Sequence, residues 1–403
     1  MSRDHQDPDR RRLVAVLTAL TRVFRLNAMR RRHSRVVMLS LDDAGTGGIE
    51  AVCRDLSRGL NALEYEVRRF SVARHGQRSR GITTYGKIRF LIVDCVRALG
   101  VCRVDFVLCN HVALVSVASW LAKSHRCPIV AMVYGIEVWG PLTRRQRAGL
   151  QKASAVWSIS HFTREQAASR QRISATNFRQ IRLPVTDSIL LKADVKGPMR
   201  DGDDALVVLS VARLTYANRY KGVDRLLEAW PGVLAVHPSA NLLVVGDGDD
   251  RPRLEFLASS LDISTSVNFL GRVSDEQLVA CYQSASLFCL PGRAVYTRTR
   301  TLGEGWGLVF LEAGAHGLPV VAGNDSGSAE AVRDGVTGIL VNGSDTAAIA
   351  SAMNALIESP HLAQRMGNAG RELVLEEHSA EAFRAQLLQL IGALPSKRRV
   401  IGC

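Results

Sequence analysis

From Arg35 onward the chain alternates short, unbroken apolar runs with stretches of helical period. RVVMLSL (35–41) passes through a glycine-rich turn into GGIEAVCRDLSRGLNAL, and VDFVLCN (104–110), PIVAMVY (128–134) and ASAVWSIS (153–160) follow, with helix-like segments between them. Runs that are apolar at every position, rather than every second one, describe strands covered on both faces, as in a parallel α/β sheet. The rhythm breaks at LPVTDSILLKADVKGPMRDGDD (183–204), which holds two prolines, shows no period and ends in an acid-glycine cluster. That composition suits an interdomain connection. The alternation resumes with ALVVLSVA (205–212), NLLVVGD (241–247), VNFLG (267–271), SLFCLP (286–291) and PVVAG (319–323). One last amphipathic helix, AEAFRAQLLQLIGAL, follows Glu377.

The pattern therefore predicts two α/β domains, residues 35–186 and 205–375, joined by a linker over 187–204. A segment 1–34 precedes them and a C-terminal piece, 376–403, follows, its helix (about 379–394) expected to cross back to the first domain. Two domains are also what 403 residues require, since single cores stop growing near 250–300 residues.

Charge changes the picture at the N-terminus. The net charge is +14, and residues 1–35 supply half of it, with ten arginines against three aspartates. Within RRLVAVLTALTRVFRLNAMRRR, Leu13, Leu17, Leu20 and Phe24 share one helical face, and Arg11, Thr18, Arg22 and Arg25 line the other. The uncharged stretch, Leu13 to Thr21, is far shorter than the roughly 20 residues a membrane span needs. No small-residue cleavage site follows it, so it reads poorly as a secretory signal. Residues 11–32 suit a helix lying on an anionic membrane surface. A basic tail, a helix packed on its own domain, and a nucleic-acid arm are the alternatives. Eight cysteines without C-x-x-C or metal-like spacing read as reduced core thiols of a cytosolic protein.

The candidate chemistry sits in LGEGWGLVFLEAGAHGLPVVAG (302–323). Gly305 and Gly307 precede a helix that Gly317 and Pro319 close. Glu304 lies just before its N-terminus and Glu312 one turn inside. Free amides at a helix N-terminus with glycines beside them make an anion site. Carboxylates are poor phosphate ligands but good acceptors for sugar hydroxyls. The pair fits a sugar and a ribose flanking a pyrophosphate; a dipole-favouring Glu304 with a solvated Glu312 is the alternative. Arg213, straight off a strand end, and Lys221, before the helix-opening Gly222, would neutralise a diphosphate. Gly45, Gly47 and Gly48 form a second turn of the phosphate-approach kind, and VVGDGDD (244–250) reads as a plain turn.

EGWGLVFLEA resembles the E-x7-E signature of the retaining GT-B glycosyltransferases of the group-1 family (family 4). The strand–ARL…KG segment, VVGDGDD, VNFLGRVSDEQLVACYQSASLFCLP, GLPVVAG…SGSAEAV and DGVTGILV are similar to that family's C-terminal domain over residues 205–345. GTGGIE, NHVALVSVASWLA, YGIEVWG and SISHFTREQ resemble landmarks of its N-terminal domain more loosely.

The resemblance implies the GT-B fold, two Rossmann-like domains facing across a cleft, and transfer of a hexose from a nucleotide-diphosphate sugar with retention. Glu304 would contact hydroxyls of the donor sugar and Glu312 the nucleotide ribose. Arg213 and Lys221 would clamp the diphosphate beside the backbone of Gly307, Leu308 and Val309. Gly271, Arg272 and Val273 would border the base, Gly47 and Gly48 would approach the diphosphate, and His111 matches a histidine near the transferred sugar. The leaving phosphate itself would take the acceptor proton, and neither cofactor nor metal is implied.

Two departures stand out. Tyr134 replaces a histidine common before glycine, which leaves Glu137 as an acceptor-cleft candidate. PGRAVYTRTRTLGEG (291–305) is longer and more basic than the usual serine-bearing loop, its Arg293, Arg298 and Arg300 either binding anions or facing solvent. The expected donor is GDP-mannose or a UDP-sugar, the arginine-rich loop leaning toward the first. The expected acceptor is a glycan, in particular a lipid-linked one in polysaccharide biosynthesis, at the inner face of the cytoplasmic membrane. Nucleic acid is not an expected partner, because a basic nucleic-acid binder would not explain the glutamate pair. A sugar-nucleotide epimerase of the same fold is the rival enzyme; a pyridoxal-phosphate phosphorylase lacks a placeable lysine.

Overall fold

The computed structural model describes residues 34–42, 48–73, 90–185 and 206–395. The expected membrane helix within 1–33, Gly45, Gly47 and the linker 187–204 lie outside the described residues.

The apolar runs are strands. β1 (Arg35–Asp42), β2 (Glu66–Ala73), β3 (Val104–Cys109), β4 (Ile129–Val133), β5 (Ala155–Ser158) and β6 (Phe178–Gln180) make one sheet, ordered β2-β1-β3-β4-β5-β6. A second comprises β7 (Val207–Val211), β8 (Asn241–Val245), β9 (Val267–Gly271) and β10 (Leu287–Leu290). After an antiparallel hairpin of β11 (Val295–Tyr296) and β12 (Thr301–Leu302), β13 (Val320–Gly323) and β14 (Gly338–Val341) complete it. Its order, β14-β13-β10-β7-β8-β9, is the dinucleotide-binding order, with β7 and β10 side by side where the winding reverses. β4, β5, β10 and β13 are buried at every residue, which is why they carry no polar alternation.

The chain falls into two compact units: residues up to Leu108 with Val117–Ile129 and the C-terminal tail, and Cys109–Ser116 with Val130–Leu394. In the first, helix α1 (Gly48–Ala62) follows β1, and β1 and β2 run parallel with Val36 opposite Val67. In the second lie α2 (His161–Gln171), α3 (Val223–Leu234), α4 (Asp275–Ser284), α5 (Leu308–Ala315), α6 (Pro360–Glu377) and α7 (Ala380–Gly392). Their ends are closed by local chemistry. The Ser160 hydroxyl accepts the Thr163 amide at 3.0 Å. Ser274 and Gln277 form a capping box at the start of α4. Trp139, Trp157 and Trp230 are completely buried in this unit's core.

The chain leaving β6 is fastened where α6 meets α7. The Arg182 amide donates to Gln386, the Val185 amide to the His378 carbonyl, and the His378 ring is 2.7 Å from the Leu183 carbonyl. No helix among the described residues is long and apolar enough to cross a membrane.

Candidate active site

The C-terminal end of β7 releases Arg213, exposed and without a carboxylate partner among the described residues. A 3₁₀ turn, Tyr216–Lys221, then delivers Lys221 to Gly222, whose left-handed φ of 79° opens α3. The Lys221 ammonium forms an ion pair with Glu304. Tyr220, next to Lys221 in the chain, is buried. Burial, then the Glu304 charge, pushes its phenol up, and Arg213 pulls it down.

Glu304 sits in the turn between β12 and α5. Gly307 has φ 88°, a left-handed value suited to glycine, and no side chain caps the helix it begins. The amides of Leu308 and Val309 therefore head the N-terminus of α5, where anions are favoured. The turn is held from two sides. The Gly327 amide donates to the Glu304 carbonyl at 2.9 Å. A Cβ on Gly305 would sit 2.1 Å from the Tyr134 carbonyl oxygen, and one on Gly327 would sit 2.1 Å from the Gly305 oxygen. Trp306, buried, packs on the His378 ring at 5.8 Å.

Glu312 is half-buried inside α5. The Tyr282 hydroxyl, from α4, donates to its Oε2 at 2.8 Å, and Oε1 has no hydrogen bond among the described residues. Burial raises the Glu312 carboxyl, and the Tyr282 hydrogen bond pulls it down in part. The Tyr282 ring stacks on His316 at 5.2 Å and 7°.

His111 stands at the C-terminal end of β3. Its Nδ1 accepts the Ala113 amide at 3.1 Å, so the neutral ring carries its proton on Nε2. Burial lowers its pKa and favours that neutral form. The preceding Asn110, fully buried, accepts the Tyr134 hydroxyl proton. Tyr134 thus links the residue beside His111 to the wall against which Gly305 rests.

Other expected residues fall differently. Glu137 does not face outward as an acceptor-lining group: its carboxylate folds back onto the Tyr134 amide at 2.6 Å, with the Gly135 amide and its own also directed at it. It ties the turn after β4. Arg293 is neither solvated nor free for an anion, since it pairs with Asp224 at 3.4 Å. Arg272 is exposed and Val273 half-buried, just beyond β9 at the sheet edge, and neither touches the Glu304 group. Gly48 begins α1 with open space where a side chain would be.

Three residues escaped the sequence reading. Tyr282 orients Glu312. Asp250, buried in the supposed plain turn, is held by Arg219 at 2.5 Å and Arg253 at 2.7 Å, and so braces the turn carrying Lys221. Glu330 accepts the His161 and Phe162 amides at 2.8 and 2.7 Å, capping α2. Each bond joins residues far apart in sequence, apart from the Asp250–Arg253 pair, so only the acids of GDGDD and SGSAEAV hinted at them.

The sequence matches the family described as Glycosyl transferases group 1 over residues 197–373. It is 34% identical over 281 residues to a GDP-mannose-dependent alpha-(1-6)-phosphatidylinositol monomannoside mannosyltransferase of Mycolicibacterium smegmatis, covering 67% of this chain and 72% of that protein. The chain belongs to the group 1 glycosyltransferases. A monoacylated-substrate counterpart from Corynebacterium glutamicum is 38% identical over 176 residues, less than half of either chain (43% and 45%). Among solved structures, Anabaena HepE in complex with UDP and glucose superposes with a TM-score of 0.68 at 17% identity, over 90% of this chain and 100% of that one. Sucrose-phosphate synthase from Thermosynechococcus elongatus gives 0.67 at 23%, over 90% and 99%. The fold of this group 1 glycosyltransferase is accordingly GT-B, with two Rossmann-like parallel sheets.

Proposed function

We propose that this glycosyltransferase moves a mannosyl group from GDP-mannose to a hydroxyl of a lipid-linked acceptor, with retention at the anomeric carbon. The observation that carries the reading is the Lys221–Glu304 pair at the uncapped N-terminus of α5. A cation able to exchange one carboxylate for a diphosphate, and a carboxylate thereby freed for sugar hydroxyls, is what donor binding requires. The curated relatives' dependence on GDP-mannose supports the choice of donor.

In this reading the diphosphate lies on the amides of Leu308 and Val309 past Gly307, held by Arg213 and Lys221. Glu312 Oε1 takes a ribose hydroxyl, Arg272 and Val273 border the base, and Glu304 holds the mannose. His111, neutral, donates from Nε2 to a sugar hydroxyl. The acceptor oxygen bonds to the anomeric carbon as the carbon–phosphate oxygen bond breaks, and the acceptor proton passes to the departing phosphate. The two cations and the helix amides stabilise the charge that develops there, so no metal or other cofactor is needed. Residues 11–32 would hold the enzyme on the anionic inner face of the cytoplasmic membrane.

Calorimetry with GDP-mannose and UDP-glucose, followed by NMR of the product anomer, tests this. Tighter GDP-mannose binding and an α-linked product support it. Release of a free epimer without acceptor would establish the epimerase instead.

A further inference from the structure

The hairpin β11–β12 is the part of the 291–305 loop that the donor reading leaves unused. Its base is tied to α3, through Arg293 and Asp224. The Ala294 amide also donates to Asp325 at 2.8 Å. On the return strand Thr301 is completely buried, its hydroxyl taking a proton from Arg170 at 2.8 Å and giving one to Gln166 at 3.2 Å, both on α2. The Arg300 Cβ lies 3.6 Å from where a side chain on Gly140 would begin, so the hairpin also leans on the turn after β4. Its tip is closed by Thr297, whose amide and hydroxyl both donate to the Arg300 carbonyl, at 2.9 and 2.8 Å.

This well-fastened scaffold exposes every residue from 295 to 300, Tyr296 at 61%. Arg293 is spent on Asp224, but Arg298 and Arg300 have no carboxylate partner among the described residues. At no more than ~3.5 Å per residue, Arg300 lies within about 14 Å of Glu304, roughly the reach of one or two sugar rings from the transferred hexose. The donor's diphosphate already has Arg213 and Lys221. Two planar guanidiniums beside an exposed phenol suit a sugar that carries a phosphate or carboxylate.

We infer that this hairpin recognises the acceptor, and that Arg298 and Arg300 bind an anionic group, phosphate or carboxylate, on it. The inference rests on the transferase reading above. Transfer from GDP-mannose is measured to four acceptors: octyl α-mannoside, octyl glucuronide, mannose 6-phosphate, and phosphatidylinositol in phosphatidylcholine vesicles. In the wild type at least one charged acceptor should exceed the neutral mannoside in kcat/KM by ~10-fold or more, the scale of one or two charge-assisted hydrogen bonds. The octyl glucuronide arm reads a carboxylate, the mannose 6-phosphate arm a soluble phosphate and the vesicle arm a lipid-borne one. In Arg298→Ala/Arg300→Ala, shown folded by an unchanged melting temperature, that ratio should fall to about 1. A wild type with no charged acceptor ahead of the neutral one, or a variant that keeps the ratio, overturns the inference. If the wild type consumes neither GDP-mannose nor UDP-glucose with any acceptor, the transferase reading fails and takes this inference with it.

Discussion

Lys221 and Glu304, 83 positions apart, meet as an ion pair with less than a fifth of either side chain exposed. The site's lysine is thus neutralised by the acid that the proposed reading assigns to the sugar. Each partner keeps the other from being an unpaired, poorly solvated charge. Lys221→Ala and Arg213→Ala should each lower kcat/KM by at least ~10²-fold, because each removes charge that stabilises the transition state. The double variant Lys221→Ala/Glu304→Gln should cost less than the sum of its singles. Strict additivity in steady-state kinetics would show that the two side chains act independently.

In the proposed reading the two glutamates divide the donor. Glu312→Gln should weaken GDP binding itself, whereas Glu304→Gln should leave GDP affinity nearly intact and impair transfer. Tyr282→Phe, which keeps the stack on His316 and removes only the hydroxyl, should weaken GDP by roughly 5-fold, the value of one hydrogen bond. Because that hydroxyl also holds the Glu312 carboxyl down against burial, its loss should move the acid limb of GDP binding to higher pH. Titration calorimetry from pH 5 to 8 reads both effects, and equal loss of GDP affinity in the two glutamate variants would sink the division.

His316 is 4% exposed, neither ring nitrogen has a hydrogen-bond partner among the described residues, and burial pushes its pKa down to about 4. A histidine whose folded pKa is depressed contributes no penalty above its unfolded value, near 6.5. As pH falls from there the unfolded chain takes up the proton first, and stability drains until the folded ring protonates near pH 4. The loss should be on the order of 3 kcal/mol. His316→Phe, which can still stack on Tyr282, should remove that part of the acid sensitivity. Urea unfolding at pH 7.5 and 4.5 decides it: an unchanged pH dependence in the variant refutes the assignment.

Glu330 caps α2 with both oxygens, across 168 and 169 positions of sequence. Glu330→Ala should cost about 1–3 kcal/mol through two unmade charge-assisted bonds at a helix N-terminus. A melting temperature equal to wild type would mean that water replaces the carboxylate without loss.

Deleting residues 1–33 should abolish sedimentation with anionic liposomes while leaving donor hydrolysis in solution. Each arginine near an anionic surface is worth roughly 1 kcal/mol, less as salt rises. Anionic-liposome binding that survives the deletion would place the membrane contact elsewhere.

What was legible in the sequence follows from where side chains go. β4, β10 and β13 announce themselves because both faces are buried, and α5 because Gly307 and Gly317 bracket it. β2, EVRRFSVA, was missed because it is a sheet-edge strand whose first five residues stay partly open to water, so charge is tolerated there. β6 has only three residues, too few for a period, and the hairpin hides in threonines and arginines. As candidate chemistry, Glu304, Arg213 and Lys221 were legible because they stand at element ends, and Glu312 because it lies one turn inside α5. The bonds of Tyr282, Glu330 and Glu137 were not, since a hydrogen bond to a chosen partner leaves no local pattern. Glu137 misled for that reason: an acid in a turn looks available until its own amides are found pointing at it.

The backbone of the Glu304 turn is stacked between the carbonyl of Tyr134 and the glycine at 327 with no room for a methyl group on either side. Substitution there is closed to gradual change, because the smallest possible step already moves main chain. The neighbouring hairpin differs, its six consecutive positions from 295 to 300 all being exposed. On the functional reading proposed above, a lineage built on this scaffold can change what it glycosylates far more cheaply than how it holds the sugar it transfers.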